Sequence, residues 1–224
     1  MIGPYLSPKG IMTWERQILS SDEMRHFFSW IANPQQAGEK EREKIMRSRY
    51  KIIETPEGCN MVFATSTIVD WTPLLFNDNL LQIILKDLKH CQREKGLQIF
   101  GYVIMPNHFH VLIGHRERGK IPGVMRDLKK HSAKEIVKYL GGLGAYGELS
   151  WIKPFIADTP IKVWQAGYHP KAVFSQSVFS EKLKYIHDNP VKQGFVAKPE
   201  DWKYSSARNY LLGDDSLIKL DNVV

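Results

Sequence analysis

Hydrophobic and polar positions change period several times along the 224-residue chain. Residues 61–69 are rich in β-formers and partly alternate, which predicts a strand. From residue 77 the period becomes helical: Leu80, Leu81, Ile84, Leu85 and Leu88 share a face, and Asn77 or Asp78 can cap the start. Gly96 stops this helix after about Glu94. Residues 97–105 and 108–114 predict two further strands, joined by a tight turn at Pro106-Asn107. A second helix follows over 121–140, with Pro122 in its first turn and the run Gly141-Gly142-Leu143-Gly144 at its end. One or two short extended segments near 162–174 would close the sheet. Helix returns over about 180–188, ended by Pro190, and a shorter helix lies near 205–212. The order β-α-β-β-α-β-α predicts an α+β fold: a ferredoxin-like antiparallel sheet with helices on one face.

The same pattern divides the chain. Residues 1–55 read as a helical N-terminal extension without chemistry, where Ser21-Asp22 can cap a helix through Ile31 and residues 39–49 form a charged helical run. Residues 56–212 form the catalytic-sized domain, opening on the turn Thr55-Pro56-Glu57-Gly58, and 213–224 read as a tail. Residues 141–160 look like a loop or insertion. At 43% hydrophobic and 25% charged, the composition is that of an ordinary globular protein. The two cysteines, Cys59 and Cys91, form no CxxC pair, which argues against a zinc ribbon or disulfide framework. No run of apolar residues is long enough to span a bilayer, and the start lacks a signal pattern. The expectation is a soluble, cytoplasmic protein with no membrane partner.

Charge adds a location. The net +7 is concentrated in the second half, and residues 116–138 alone carry eight basic and three acidic residues. Arg126, Lys129, Lys130, Lys134 and Lys138 recur at helical spacing on a broad face of the second helix, suited to tracking phosphates along a groove. A solvated outer helix face accounts for the same pattern equally well.

The sharpest chemical feature is Met105-Pro106-Asn107-His108-Phe109-His110. Strand side chains alternate, so His108 and His110 point to one face and Phe109 to the other. Two imidazoles on one rigid face make a two-point metal site; alternatively, one caps the hairpin and the other is a satisfied polar residue. The late helix offers company in Tyr185 and Asn189, one turn apart on one face. Asn189 could supply a third ligand oxygen with the Tyr185 phenol just over the metal. The plainer account makes Tyr185 a core aromatic and Asn189 a helix C-cap before Pro190. Trp164 and Tyr168 are candidates for base stacking, more often structural at such a junction, and Tyr168 is the rival nucleophile.

Taken together, these blocks resemble a known family. His108-Phe109-His110 is similar to the His-hydrophobic-His motif of single-tyrosine HUH (IS200-like) transposases. The longer run includes Val163-Trp164-Gln165-Ala166-Gly167-Tyr168-His169, residues 185–196 beginning Tyr185-Ile186-His187-Asp188-Asn189-Pro190, and Asp201-Trp202-Lys203-Tyr204-Ser205-Ser206. With these included, residues 60–212 resemble the REP-associated tyrosine transposase branch. The resemblance implies that His108, His110 and Asn189 hold a divalent metal, Mg²⁺ or Mn²⁺, and that Tyr185 is the nucleophile. It implies transesterification on single-stranded, hairpin-containing DNA through a 5′-phosphotyrosine, by a monomer or homodimer. Two imidazoles suit Mn²⁺ better than Mg²⁺ by hard–soft matching. Two other readings compete: a hairpin-binding relative without activity, and an unrelated hydrolase in which the His pair activates water.

Overall fold

The computed structural model describes residues 61–142, 162–166 and 170–222. The expected extension at 1–55, the turn at 55–58, most of the 141–160 loop and Tyr168 lie outside the described residues. In chain order the elements are β1 (Met61–Thr67), α1 (Asp78–Glu94), β2 (Leu97–Ile104) and β3 (His108–His115). They continue with α2 (Ile121–Gly142), β4 (Lys171–Ala172), α3 (Gln176–Lys192) and α4 (Ala207–Leu212). The strands form one antiparallel sheet in the order β2-β3-β1-β4. The α+β expectation and the ferredoxin-like order both hold.

Local chemistry sets the boundaries. The Asn77 side chain accepts the Leu80 N–H at 3.0 Å, capping α1 as its sequence predicts. Leu80, Leu81, Ile84, Leu85 and Leu88 of α1 are all buried, each stabilising the fold by about 1.5–3 kcal/mol relative to exposure. β1 stops at Thr67, two residues before the sequence suggests, because the chain turns sharply at Val69–Trp71. Closure of the sheet is minimal: an isolated bridge between Ile68 and Trp164, and the two-residue β4 against Val62 and Phe63.

Alternation along β3 sorts the helices. Phe109 meets Trp164 edge-on at 5.3 Å, and the Trp164 indole donates to Ser132 of α2 at 3.0 Å. That face therefore carries α2, with α1 packed beside it. His110, its neighbour in sequence, meets Tyr185 of α3 on the opposite face. Helices α1 and α2 share one face of the sheet, while α3, as long as α1, covers the other.

Helix α3 is longer than its sequence suggests. It begins at Gln176, where the Ser175 hydroxyl accepts the Val178 N–H at 3.2 Å, and runs through Pro190 to Lys192. A proline costs one backbone bond and crowds the preceding turn. So near the helix end this is tolerated, since Pro190 itself is buried and its carbonyl accepts the Phe195 N–H at 2.9 Å. Asn189 is thus inside the helix and buried, not a C-cap.

Two features fix α3 against the sheet. A β-bulge between Ile99 and Gly101 shifts the β2 register, and a Cβ on Gly101 would lie 2.8 Å from a Leu183 methyl. Glycine therefore permits the close approach of helix and strand. The segment 202–206 clamps the other side. Ser206 Oγ accepts the Tyr102 N–H at 2.9 Å and pairs with His187 Nε2 at 2.9 Å, while Trp202 Nε1 donates to the Ile104 carbonyl at 3.0 Å. Residues after α4 return to β2, where the Asp221 carboxylate accepts the Ile99 N–H at 2.8 Å. Among the described residues no helix is long and apolar enough to cross a membrane.

Candidate active site

β1 and β3 pair with Thr65 opposite His110 and Thr67 opposite His108, so this stretch of the sheet is polar on the α3 face. Both histidines are buried, with ring centres 4.6 Å apart. His108 Nδ1 lies 2.6 Å from the Asn107 side-chain oxygen, an acceptor, so that nitrogen carries the proton and Nε2 keeps its lone pair. Thr65 Oγ1 lies 2.8 Å from His110 Nδ1 and can accept its N–H, while the Asn189 amide N–H faces Nε2 at 3.3 Å, which together suit the same tautomer there. Phe63 stacks on the His110 ring at 5.4 Å. Burial disfavours the imidazolium in both rings. It holds the His108 pKa at about 4, against a smaller opposing effect of the Asn189 amide, and puts His110 well below its usual value, with His108 adding to the shift. At neutral pH both rings are uncharged, and each keeps one nitrogen as an acceptor.

Helix α3 lays its Tyr185–Asn189 edge over this pair. The Tyr185 ring is 5.2 Å from His110 and 5.8 Å from Phe63, and the residue is 42% exposed. Asn189 Nδ2 lies 3.3 Å from His110 Nε2, and Asn189 Oδ1 accepts from Gln193 Nε2 at 3.0 Å. The Lys192 ammonium sits 5.7 Å from the Tyr185 ring centre. Asp188, the chemically attractive carboxylate, points elsewhere and pairs with Lys184 at 2.6 Å. His187 is taken up by Ser206. Tyrosine, asparagine and both histidines thus meet within one chain.

The donor set fits a divalent cation. Two neutral imidazoles have their outer nitrogens tied by Asn107 and Thr65, an arrangement that orients ligand histidines. A half rotation of the Asn189 amide would replace its N–H at His110 with its carbonyl oxygen, and the same rotation of Gln193 would keep their mutual bond. Among the described residues no group of three His, Cys, Asp or Glu side chains is placed to hold a metal. The side chain that would complete the set is the amide of Asn189, whose oxygen suits a hard divalent cation.

The family model for IS200-like transposases matches residues 73–189, just over half of the chain and inclusive of the His pair, Tyr185 and Asn189. The chain belongs to the IS200-like transposase family. Among solved structures, it resembles a REP-associated tyrosine transposase bound to a REP hairpin. The identity is 20% over 74% of this chain and 87% of that one, with a TM-score of 0.49. A candidate transposase from Deinococcus radiodurans aligns at 20% identity over 57% of this chain and 88% of that one, with a TM-score of 0.37. No curated protein matches.

In this transposase-family chain the basic helix does not reach the site. α2 lies on the opposite face of the sheet, and the Lys129 ammonium is partly buried, donating to the Gln165 carbonyl at 2.7 Å. Burial lowers its pKa to about 8. Arg126, Lys130, Lys134 and Lys138 are exposed at four-residue intervals. Trp164 is buried and structural. The sequence reading missed Thr65, Phe63, Gln193 and Trp71, and passed over Asn107 as a turn residue. Thr65 and Phe63 depend on strand register, which one chain's pattern leaves open. Gln193 had a signal, since it continues the four-residue spacing from Asn189.

Proposed function

We propose that the chain is a metal-dependent endonuclease and strand transferase acting on single-stranded DNA of the REP-associated type, with Tyr185 as its nucleophile. The observation that carries this reading is the convergence of Tyr185 and Asn189 of α3 on His110, beside His108. A metal bound by His108, His110 and Asn189 would supply Lewis-acid polarisation of a phosphate. The remaining chemistry belongs to this chain's side chains. The Tyr185 oxygen forms a bond to phosphorus while the phosphorus–O3′ bond breaks. The phenol proton departs to solvent or a nearby base, and the leaving 3′ oxygen ends as a hydroxyl. The DNA 5′ phosphate is then held as a tyrosine ester, and attack by another 3′-hydroxyl reverses the step and joins strands. The Lys192 ammonium, 5.7 Å from the centre of the Tyr185 ring, places a positive charge where a phosphate would approach. Asn107 keeps His108 in the ligand tautomer, Thr65 accepts from His110 Nδ1 when that ring is a ligand, and Phe63 stacks on His110.

The partner would be single-stranded DNA carrying a hairpin, as in the REP-hairpin complex of the similar transposase. The exposed cations of α2, Arg126, Lys130, Lys134 and Lys138, are proposed to hold backbone phosphates away from the cleavage centre, with Lys129 fixing the helix to the 162–166 segment. The experiment incubates labelled hairpin-ended single-stranded DNA with the protein and Mg²⁺ or Mn²⁺, then resolves it under denaturing conditions. A covalent adduct formed by the wild type and absent from Tyr185→Phe is the expected result. An adduct persisting in that variant refutes the nucleophile. Hairpin binding without cleavage under either metal favours a binding module instead, and strand cleavage without an adduct favours a hydrolase.

A further inference from the structure

Trp71 is 56% exposed although it stands directly beside the His pair, its ring meeting His108 edge-on at 5.8 Å. Large aromatics ordinarily bury their area, so an indole displayed here needs a reason. The backbone beneath it is also unusual. Thr72 N donates to the Val69 carbonyl at 3.2 Å, closing a four-residue turn whose central residues, Asp70 and Trp71, both have positive φ, 56° and 57°. A turn with two left-handed central residues is the kind Asn-Gly forms readily. Aspartate tolerates that conformation, but a bulky aromatic does not.

The turn keeps this shape because its surroundings determine it. Ile68 N donates to the Asn107 carbonyl at 2.9 Å and Val69 N to the Val163 carbonyl at 2.9 Å. Beyond the turn, Leu75 N donates to the Pro106 carbonyl at 2.8 Å, and Leu74 and Leu75 are fully buried. The strained turn is therefore fastened to the Pro106-Asn107 hairpin, whose Asn107 side chain orients His108. Backbone strain that is held this firmly beside reacting groups marks a side chain placed for a task.

We propose that Trp71 is a stacking platform for a DNA base next to the phosphate being cut. An indole offers a face to any base, and such stacking is tolerant of sequence. Its edge contact with His108 would set the stacked nucleotide, and so the adjoining phosphate, at a fixed distance from the two imidazoles. Trp71 is a binding and positioning residue, with no part in bond making. The inference rests on the single-stranded DNA reading of the same site.

The test measures binding of a short oligothymidylate, and of an abasic backbone of the same length, to wild type, Trp71→Gly and Trp71→Phe by fluorescence anisotropy without metal. Trp71→Gly should lose roughly 5- to 100-fold in affinity for oligothymidylate and show no difference on the abasic strand. Trp71→Phe should keep most of the affinity. The Gly variant should melt no lower than wild type, since glycine relieves the positive-φ turn; equal oligothymidylate binding by wild type and Trp71→Gly, or an equal loss on the abasic strand, would overturn the proposal. The two failures are separable. A protein that forms no Tyr185 adduct but binds bases through Trp71 loses the catalytic reading alone. One that forms the adduct with unchanged Trp71→Gly binding loses the platform alone.

Discussion

The two faces of the β-sheet are built from the same strands and do opposite work. Toward α1 and α2, β3 presents Phe109, Val111 and Ile113, all fully buried, and the contact is apolar. Toward α3 it presents His108 and His110, which meet Tyr185 and Asn189 of the helix, with Phe63 of β1 stacked on His110. One residue of strand separates a side chain that holds the fold from one that holds the site. Burial serves both, by excluding water from the core on one side and by keeping imidazoles uncharged on the other.

Adjacent substitutions separate the faces most sharply. His110→Ala should lower metal-dependent cleavage by about a thousandfold, the scale on which metal and electrostatic groups act, with thermal unfolding changed only modestly. Phe109→Ala should do the reverse, costing about 3–5 kcal/mol of stability through the cavity it leaves, as measured by denaturant melts. If both variants lose activity and stability in parallel, the division between faces is wrong.

Acid should act through the polar face. The folded pKa of His108 and that of His187 are each lowered to about 4 by burial, below an unfolded value of about 6.5. Between those values the unfolded chain binds more protons, so stability is full above about pH 6.5 and is lost as pH falls toward 4. At pH 5 the metal-free protein should have lost on the order of 2 kcal/mol for each such histidine. A flat stability profile between pH 7 and 5 in chelator would contradict the neutral, buried assignment.

The far face should affect DNA binding without chemistry. Replacing Lys130, Lys134 and Lys138 by Gln should raise KM and flatten the salt dependence, by roughly 0.7–0.9 in log–log slope for each phosphate contact removed, while kcat stays unchanged. A fall in kcat with constant KM would bring α2 into the cleavage centre. The smallest effect should come from Gly101→Ala. Its Cβ would press on a Leu183 methyl at 2.8 Å, a flexible side-chain end, so α3 should shift slightly. Cleavage should fall by about threefold, a fraction of 1 kcal/mol in barrier, with little change in melting temperature.

Much of this was legible along the chain. The helical period from Leu80 to Leu88 and the Asn77 cap predicted α1, and alternation through His108-Phe109-His110 predicted that both imidazoles share a face. The Tyr185–Asn189 spacing predicted one helix edge, because each signal is local and carries its own periodicity. Helix α3 ran past Pro190 because tertiary burial outweighed a local breaker, which no window of sequence reports.

The sequence by itself determined which residues are candidates for chemistry, His108, His110, Tyr185 and Asn189, since residue type and spacing are properties of the chain. Only the tertiary structure decided which of them meet. It put α3 over the His pair and α2 behind the sheet, because side assignment follows from packing of one layer on another. It joined Thr65 to His110 through strand register, and it raised Trp71 beside His108 on a turn that its own sequence disfavours. Such contacts arise between segments far apart in the chain, where local pattern has no reach.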